Sequence, residues 1–164
     1  KPRLLCHELL YEKEPANFTA TEAADGMRPA SLNELQQVAS AHAQLVAEET
    51  GNNPLDKDSA GFYERCAARI EQRRIWILMK DGELLFKADV VSETPRTIYV
   101  EGLWVNPSHR REGYGQSCWE AMSRALLAEN QSFCGFVNDE NAPARAFYEK
   151  VGCRVRARFD KIFI

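Results

Sequence analysis

The 164-residue sequence lacks several features that would place it in a special class of protein. No apolar run reaches the roughly 18 residues that suggest a membrane span, and a signal peptide is also missing. The net charge of −3 argues against a general affinity for nucleic acid, which usually requires a basic face. There is no internal repeat. The sequence therefore predicts a cytoplasmic protein whose partners include neither a membrane nor nucleic acid.

Cysteine and histidine are too few and too scattered to predict a metal site. The five cysteines are an odd number, and no two of them form a CxxC pair. The three histidines, His7, His42 and His109, share no ligand-like spacing. His42 falls on the apolar stripe of a predicted helix, which favours a core position. We expect reduced, mostly buried thiols and no bound metal.

The composition that remains is that of an ordinary globular domain, with 45% hydrophobic and 27% charged residues. A polar stretch over Lys13–Gly26 is typical of a linker. We therefore expect an N-terminal segment and linker at residues 1–26 and the main domain at residues 27–164. The first residue is Lys1 and not Met, which predicts a processed product or a piece of a longer protein.

Helix and strand signals alternate along the chain. Ser31 and Glu34 form a capping box before an amphipathic helix, and Asp81-Gly82 separates two β-rich runs as a hairpin turn does. The other predicted elements are a segment ambiguous between helix and strand at Pro2–Glu12, a loop at Asn52–Ser59, a helix at Ala60–Arg73, a strand at Ile98–Val105, a helix after Gly115, a strand at Ser132–Asn138, a helix over Asn141–Gly152 and a last strand from Cys153. This order predicts an α/β domain with a mixed sheet.

The stretch HRREGYGQS, His109–Ser117, joins a predicted strand to a predicted helix. The first N–H groups of a helix have no internal partner, and the helix dipole makes that end partly positive. Gly113 and Gly115 leave the backbone open, and Arg110 and Arg111 add charge. The stretch is therefore a candidate phosphate cradle, with a solvated basic turn as the alternative.

Three motifs in order resemble the GNAT superfamily of N-acetyltransferases. RREGYG at Arg110–Gly115 is similar to the signature Q/R-x-x-G-x-G/A, and NAPARAFYEKVG at Asn141–Gly152 is similar to a second signature, with Cys153 where phenylalanine is usual. LWVNP at Leu103–Pro107 resembles the strand ending before the first signature. The resemblance implies a central, mostly antiparallel sheet that is splayed at the cofactor strand and flanked by about four helices. The chain is most similar to bacterial two-part members, in which residues 1–26 would be the tail of a preceding domain.

The resemblance implies an enzyme that transfers the acetyl group of acetyl-CoA to a primary amine by direct attack in a ternary complex. Tyr148 would act as general acid, with a core aromatic as the alternative. Glu101 would act as general base, unless it pairs with Lys87 or Arg96, and Asp89 is a second candidate. The cofactor-binding residues would be Leu103, Trp104 and Val105 on the strand, Arg110, Arg111, Glu112, Gly113, Tyr114, Gly115, Gln116 and Ser117 in the cradle, and Asn138, Asn141 and Tyr148 beside the fourth helix.

Several alternatives stay open in the sequence. Gly102 and Gly135 suit the bend that the splay requires, or serve packing alone. Asn141 binds the cofactor or caps the fourth helix, with Asn138 and Asp139 as rival caps. Arg110, Arg145 and Lys150 are candidate contacts for the 3′-phosphate and adenine of CoA, and the acceptor would lie between residues 50–58 and 85–91.

The alternative function is a non-catalytic CoA-binding sensor, which would need the cradle but neither Tyr148 nor Glu101. A sheet of this superfamily closes with two strands after the fourth helix, whereas this sequence has one. Either Pro2–Glu12 fills the place of the last strand, or the edge is left to a partner, which favours a homodimer.

Overall fold

The computed structural model describes residues 4–14, 22–128 and 131–163 of the chain. In these residues a seven-stranded sheet is flanked by four α-helices, which confirms the predicted mixed α/β class. The strands are β1 Leu4–Lys13, β2 Arg28–Pro29, β3 Ile75–Lys80, β4 Glu83–Glu93, β5 Thr97–Val105, β6 Ser132–Asn138 and β7 Arg154–Phe163, and the helices are α1 Leu35–Thr50, α2 Leu55–Glu71, α3 Tyr114–Leu126 and α4 Ala142–Lys150.

The sheet is mostly antiparallel, as predicted. Its strand order is β2-β3-β4-β5-β6-β1-β7. All neighbouring strands run antiparallel except β5 and β6, which are parallel. The parallel pair is joined through α3, because parallel strands need a long crossover connection.

The N-terminal segment is a strand inside the sheet. β1 pairs with β6 on one side and with β7 on the other, so residues 4–12 of the predicted Pro2–Glu12 segment lie between those two strands. The ammonium group of Lys13 lies 2.9 Å from a carboxylate oxygen of Glu120 on α3, and both side chains are at most 1% exposed. A buried ion pair of this kind penalises any shift in the register of β1, because a shift would leave a charge unpaired.

The predicted division between residues 1–26 and 27–164 therefore cuts through one sheet. Of the predicted linker, residues 15–21 lie outside the described residues. That the segment is the tail of a preceding domain stays a prediction.

The local helix signals hold with one correction. The capping box is formed, since the backbone N–H of Ser31 donates to a carboxylate oxygen of Glu34 at 2.7 Å. α2 begins at Leu55, five residues before the predicted start at Ala60, so the predicted loop at Asn52–Ser59 was wrong from Leu55 onward. The helix is interrupted at Asp58, whose carboxylate accepts from the N–H of Gly61 at 2.9 Å. A capping residue inside a helix has the sequence signature of a helix start, which explains the late predicted boundary.

The Asp81-Gly82 turn joins β3 to β4 as predicted. Both residues have positive φ, 51° and 79°, which is the conformation of a two-residue hairpin turn that favours Asp-Gly.

Each face of the sheet packs against its own pair of helices. On one face, α3 and α4 cover a core that includes Tyr11, Val100, Trp119, Phe133 and Tyr148. On the other face, α1 and α2 pack on the sheet around a second core that includes Val38, Ile70, Ile77, Leu84 and Trp104. In the described part of the chain, no helix is long and apolar enough to cross a membrane.

Candidate active site

The sheet opens between β5 and β6. The two strands pair in parallel only at Thr97 with Ser132, Ile98 with Phe133 and Tyr99 with Cys134. Beyond these three pairs, β5 continues to Val105 and β6 to Asn138, and the two strands no longer pair with each other. The backbone groups that line this gap are therefore free to pair with an extended ligand, as a peptide pairs with a sheet edge. The predicted splay is present.

The hydroxyl group of Tyr148 reaches this gap from the α3–α4 side. A Cβ atom placed on Gly135 would lie 2.7 Å from that hydroxyl oxygen and 3.1 Å from the carbonyl oxygen of Val100. Glycine at position 135 is thus the residue that leaves room for the hydroxyl between β5 and β6. Tyr148 is 6% exposed, and burial raises the pKa of its hydroxyl, so the group stays protonated. Tyr148 is thus a core aromatic whose protonated hydroxyl lies at the gap.

A β-bulge bends β5 beside the gap. Asp89 pairs with Glu101 and Lys87 pairs with Trp104, so β5 carries one residue more than β4 over this stretch. Gly102 has a φ of +64°, a left-handed conformation typical of a bulge glycine. Its carbonyl oxygen accepts from the ammonium group of Lys87 at 3.1 Å. Gly102 therefore forms the bend in β5 and does not serve packing alone.

The bulge moves Glu101 to the opposite face from the one that strand alternation predicts. Strict alternation would place Glu101 beside Leu103 and Val105, but these two pack on the α3–α4 side. Glu101 instead shares the α1–α2 face with Trp104, because their partners on β4 share that face. Tyr148 and Glu101 thus approach the gap from opposite sides of the sheet.

In the described structure, Glu101 forms no ion pair with Lys87 or Arg96. One of its carboxylate oxygens accepts a hydrogen bond from the hydroxyl of Tyr99 at 3.1 Å. Burial, and then the neighbouring carboxylate, raise the pKa of Tyr99, so its hydroxyl remains a donor.

Asp89, the second candidate base, is engaged in a buried ion-pair network. Its carboxylate lies 2.7 Å from the ammonium of Lys87 and 3.2 Å from the guanidinium of Arg69. Lys87 and Asp89 are almost completely buried. These ion pairs hold the carboxylate of Asp89, and they leave Glu101 as the carboxylate beside the gap.

The cradle lies where β5 meets α3. Gly113 caps α3 with a φ of +89°, and a Cβ atom there would meet nothing within 4 Å. Among the described residues, the backbone N–H groups of Arg111 to Gly115 donate no backbone hydrogen bond, whereas the N–H of Ser117 donates to the Gly113 carbonyl at 3.1 Å. Open N–H groups at a helix N-terminus are the donors that bind phosphate.

Gly115 has a packing role. A Cβ atom there would lie 3.1 Å from the Phe147 ring and 3.4 Å from a methyl group of Val105. The glycine therefore allows α3 to approach both β5 and α4. The α3 N-terminus is held against the end of the gap.

Most side chains of the cradle bind elsewhere in the protein. The guanidinium of Arg110 contacts both carboxylate oxygens of Glu48 and the Val105 carbonyl, each at 3.2 Å. Glu112 pairs with His109, and the Ser117 hydroxyl donates to the Gly113 and Tyr114 carbonyls. The cradle thus offers backbone N–H groups more than side chains, with Gln116 and the exposed Arg111 beside them.

The asparagines beside α4 serve the local backbone. Asn141 caps α4 through a bond from the N–H of Ala144 to its side-chain oxygen at 3.1 Å. The side-chain oxygen of Asn138 accepts from the N–H of Glu140 at 2.9 Å, and its NH₂ group contacts the sulfur of Cys6. The structure thus selects Asn141 as the cap of α4. Of the predicted adenine-side residues, Arg145 donates to the Asp139 carbonyl at 3.1 Å, and Lys150 is exposed.

Sequence reasoning missed Tyr99 and the role of Lys87. Tyr99 lies two residues before Glu101 on one strand, so the spacing was a usable signal. Lys87 and Asp89 show the same spacing. Their link to Gly102 depends on strand pairing across 15 residues, which no local pattern shows. His42 was expected in the core; it is half-buried at the edge of the core, with its ring stacked on that of the buried Phe62.

No metal-ligand cluster is formed by the histidine, cysteine, aspartate and glutamate residues of the described ranges. All five cysteines are free thiols, and Cys66, Cys118 and Cys153 are buried.

Known proteins share both the sequence family and the fold. The family model of the GNAT acetyltransferases matches residues 42–153. A GNAT-family acetyltransferase from Novosphingobium aromaticivorans is 15% identical with a TM-score of 0.69, over 99% of this chain and 65% of that one. One from Colwellia psychrerythraea is 14% identical with a TM-score of 0.73, over 98% and 57%. An acetyltransferase from Clostridium acetobutylicum, solved with acetyl-CoA, is 14% identical with a TM-score of 0.61, over 80% and 90%.

This chain spans 57% to 65% of the length of the first two of these proteins. No curated protein sequence matches it.

The splayed sheet and the open helix N-terminus meet at the end of β5. The family match covers well over half of the chain, and this protein belongs to the GNAT acetyltransferase family.

Proposed function

We propose that the protein transfers the acetyl group of acetyl-CoA to a primary amine by direct attack within a ternary complex. The observation that carries this proposal is the gap between β5 and β6. It receives a protonated hydroxyl, that of Tyr148, from one face of the sheet and a carboxylate, that of Glu101, from the other. Acyl transfer to an amine needs one group that donates a proton and one that accepts a proton.

Acetyl-CoA binds along the gap in this proposal. Its pyrophosphate lies on the backbone N–H groups of Arg111–Gly115, with Gln116 beside them, where the dipole of α3 favours negative charge. Its pantetheine amides pair with the free edge of β5 at Leu103, Trp104 and Val105. The NH₂ group of Asn141 is a further donor for the pantetheine arm.

The reaction follows from the two faces of the gap. Glu101 removes a proton from the ammonium group of the acceptor through water, and the neutral amine attacks the thioester carbon. A backbone N–H of Val105 or Trp104 stabilises the oxyanion. The carbonyl then re-forms, the carbon–sulfur bond breaks, and Tyr148 donates its proton to the departing thiolate. The remaining extra proton on the attacking nitrogen passes through water to the tyrosinate, which leaves a neutral amide, the free thiol and a restored Tyr148.

The test is release of the CoA thiol in the presence of a panel of primary amines. Tyr148→Phe should lower kcat by about 100-fold or more, because a positioned general acid contributes about that much. Its dissociation constant for acetyl-CoA should stay unchanged. Tyr63→Phe on α2, where Tyr63 packs against the buried cluster around Phe62 and Cys66, is the matched control and should keep full activity.

Binding of acetyl-CoA without turnover of any amine would contradict the proposal and favour a CoA sensor. Full turnover by Tyr148→Phe would contradict the role of the hydroxyl while leaving the overall reaction intact.

A further inference from the structure

A row of aromatic side chains crosses the open face of the sheet next to the gap. The rings of Tyr99 on β5 and Phe136 on β6 meet edge to face with centroids 5.7 Å apart, and those of Phe136 and Phe159 on β7 do so at 5.4 Å. We call these three residues the aromatic row. Phe136 is 40% exposed and Phe159 is 45% exposed.

The exposure of this row is unusual for the solvent face of an antiparallel sheet, which is normally polar. β1 passes beneath the row, and Leu10 and Glu8 of β1 pair with Phe136 and Phe159, so all of them share one face. Edge-to-face packing already orders the rings. A ligand that binds there loses little side-chain entropy, which favours a binding surface over an accidental patch.

The row begins at the catalytic gap. Tyr99 is the last residue of β5 that pairs with β6, and its hydroxyl donates to the carboxylate of Glu101. The row then leads away from Glu101 over β6 to β7 at the edge of the sheet. It is therefore continuous with the place where the acceptor nitrogen must lie.

Charge is concentrated at the gap end of the row. Partial desolvation, together with the nearby carboxylates of Glu101 and Glu48, raises the pKa of Glu49 at the end of α1. Farther along, Glu8 is matched by Lys161 at 3.7 Å. The surface is thus acidic where the amine reacts and apolar beyond it.

We propose that the acceptor is a primary amine that carries an aromatic or large apolar group. Its nitrogen lies beside Glu101, and its apolar group packs on Phe136 and Phe159. This inference rests on the proposed function, and it adds the chemical class of the acceptor.

The experiment compares 2-phenylethylamine with 2-aminoethanol, two primary amines with the same two-carbon spacing. Acetyl-CoA is kept saturating, and kcat/KM is measured by thiol release. We expect 2-phenylethylamine to be favoured by about tenfold or more, since ring burial and edge-to-face packing both contribute. Phe136→Ala and Phe159→Ala should each remove most of that preference by raising KM for 2-phenylethylamine, without changing the affinity for acetyl-CoA.

Leu32→Ala is the control, because Leu32 is equally exposed at 49% but lies before α1, outside the row. It should leave the preference unchanged. Equal turnover of both amines, or a preference that survives both phenylalanine variants, would overturn the inference and leave the proposed function standing. Turnover of neither amine nor of any other would overturn the proposed function itself.

Light scattering of the wild type and the variants provides a second readout. Monodisperse protein of one mass throughout supports a substrate surface. A dimer that Phe136→Ala dissociates, with the amine preference unchanged, would show that a second copy covers the row, and the inference would be wrong.

Discussion

The substitution Gly135→Ala tests whether the Tyr148 hydroxyl must lie in the gap. The new Cβ atom would be 2.7 Å from that hydroxyl oxygen, whereas ordinary van der Waals contact begins at 3.4 Å. The two atoms must therefore separate by about 0.7 Å. The carbonyl of Val100, 3.1 Å from the same Cβ, restricts the alternative in which β6 moves. Alanine should thus push the hydroxyl out of its position.

Two effects of different size should follow. Overpacking a core position costs about 1–3 kcal/mol of the free energy of unfolding. Displacement of a general acid by this distance should lower kcat by about 100-fold, close to the effect of deleting the hydroxyl. The affinity for acetyl-CoA should change far less than kcat, because the cradle lies at the other end of the gap.

The assay is a double-mutant cycle in kcat with Gly135→Ala, Tyr148→Phe and the double variant. In the Tyr148→Phe background the closest atom to the new Cβ is missing, so Gly135→Ala should cause little further loss. Urea unfolding of all four proteins separates the stability effect from the catalytic one. Nearly full kcat in Gly135→Ala beside a large loss in Tyr148→Phe would refute the reasoning. A double variant in which the losses of the two single variants multiply would refute it as well.

Three further predictions concern stability and the cradle. Burial, followed by the nearby charge of Lys87, lowers the pKa of His42 to about 4, so the folded protein binds fewer protons than the unfolded chain below pH 6.5. Unfolding free energy should fall by at most about 3 kcal/mol as pH drops from 6.5 to 4, and His42→Gln should flatten this slope in urea titrations at several pH values. Lys87→Met should cost about 3–5 kcal/mol in the same assay because it leaves Asp89 buried without its nearest cation, and Lys87→Met/Asp89→Leu should recover most of the loss. Gly113→Ala and Gly51→Ala both place a side chain at positive φ and should each cost about 1–2 kcal/mol, but calorimetry should detect weaker acetyl-CoA binding only for Gly113→Ala.

Local signals in the sequence were sufficient for several elements. The capping box of Ser31 and Glu34 and the hairpin turn at Asp81-Gly82 are determined by neighbouring residues, and both are formed as predicted. The strand–helix junction at Gly113 is local in the same sense. Such features depend on backbone preferences within about four residues, so a single sequence reveals them.

Features that depend on distant partners were beyond local patterns. The place of β1 is set by pairing with β6 and β7, 120 or more residues away, and by the buried contact of Lys13 with Glu120. The face of Glu101 was mispredicted because one bulge residue, Gly102, reverses the alternation along β5. A glycine within a strand indicates that a bulge can form, but only the pairing with β4 shows that it does.

The central claim is that the cradle and the gap together bind acetyl-CoA. Calorimetric titration of the purified protein with acetyl-CoA, CoA and ADP in parallel tests it most directly. Acetyl-CoA and CoA should bind with much higher affinity than ADP. The pantetheine arm pairs with the free edge of β5, in addition to the contacts that the phosphates make with the cradle. ADP binding as tight as that of CoA would reduce the cradle to a general phosphate site, and no binding of any of the three would contradict the account.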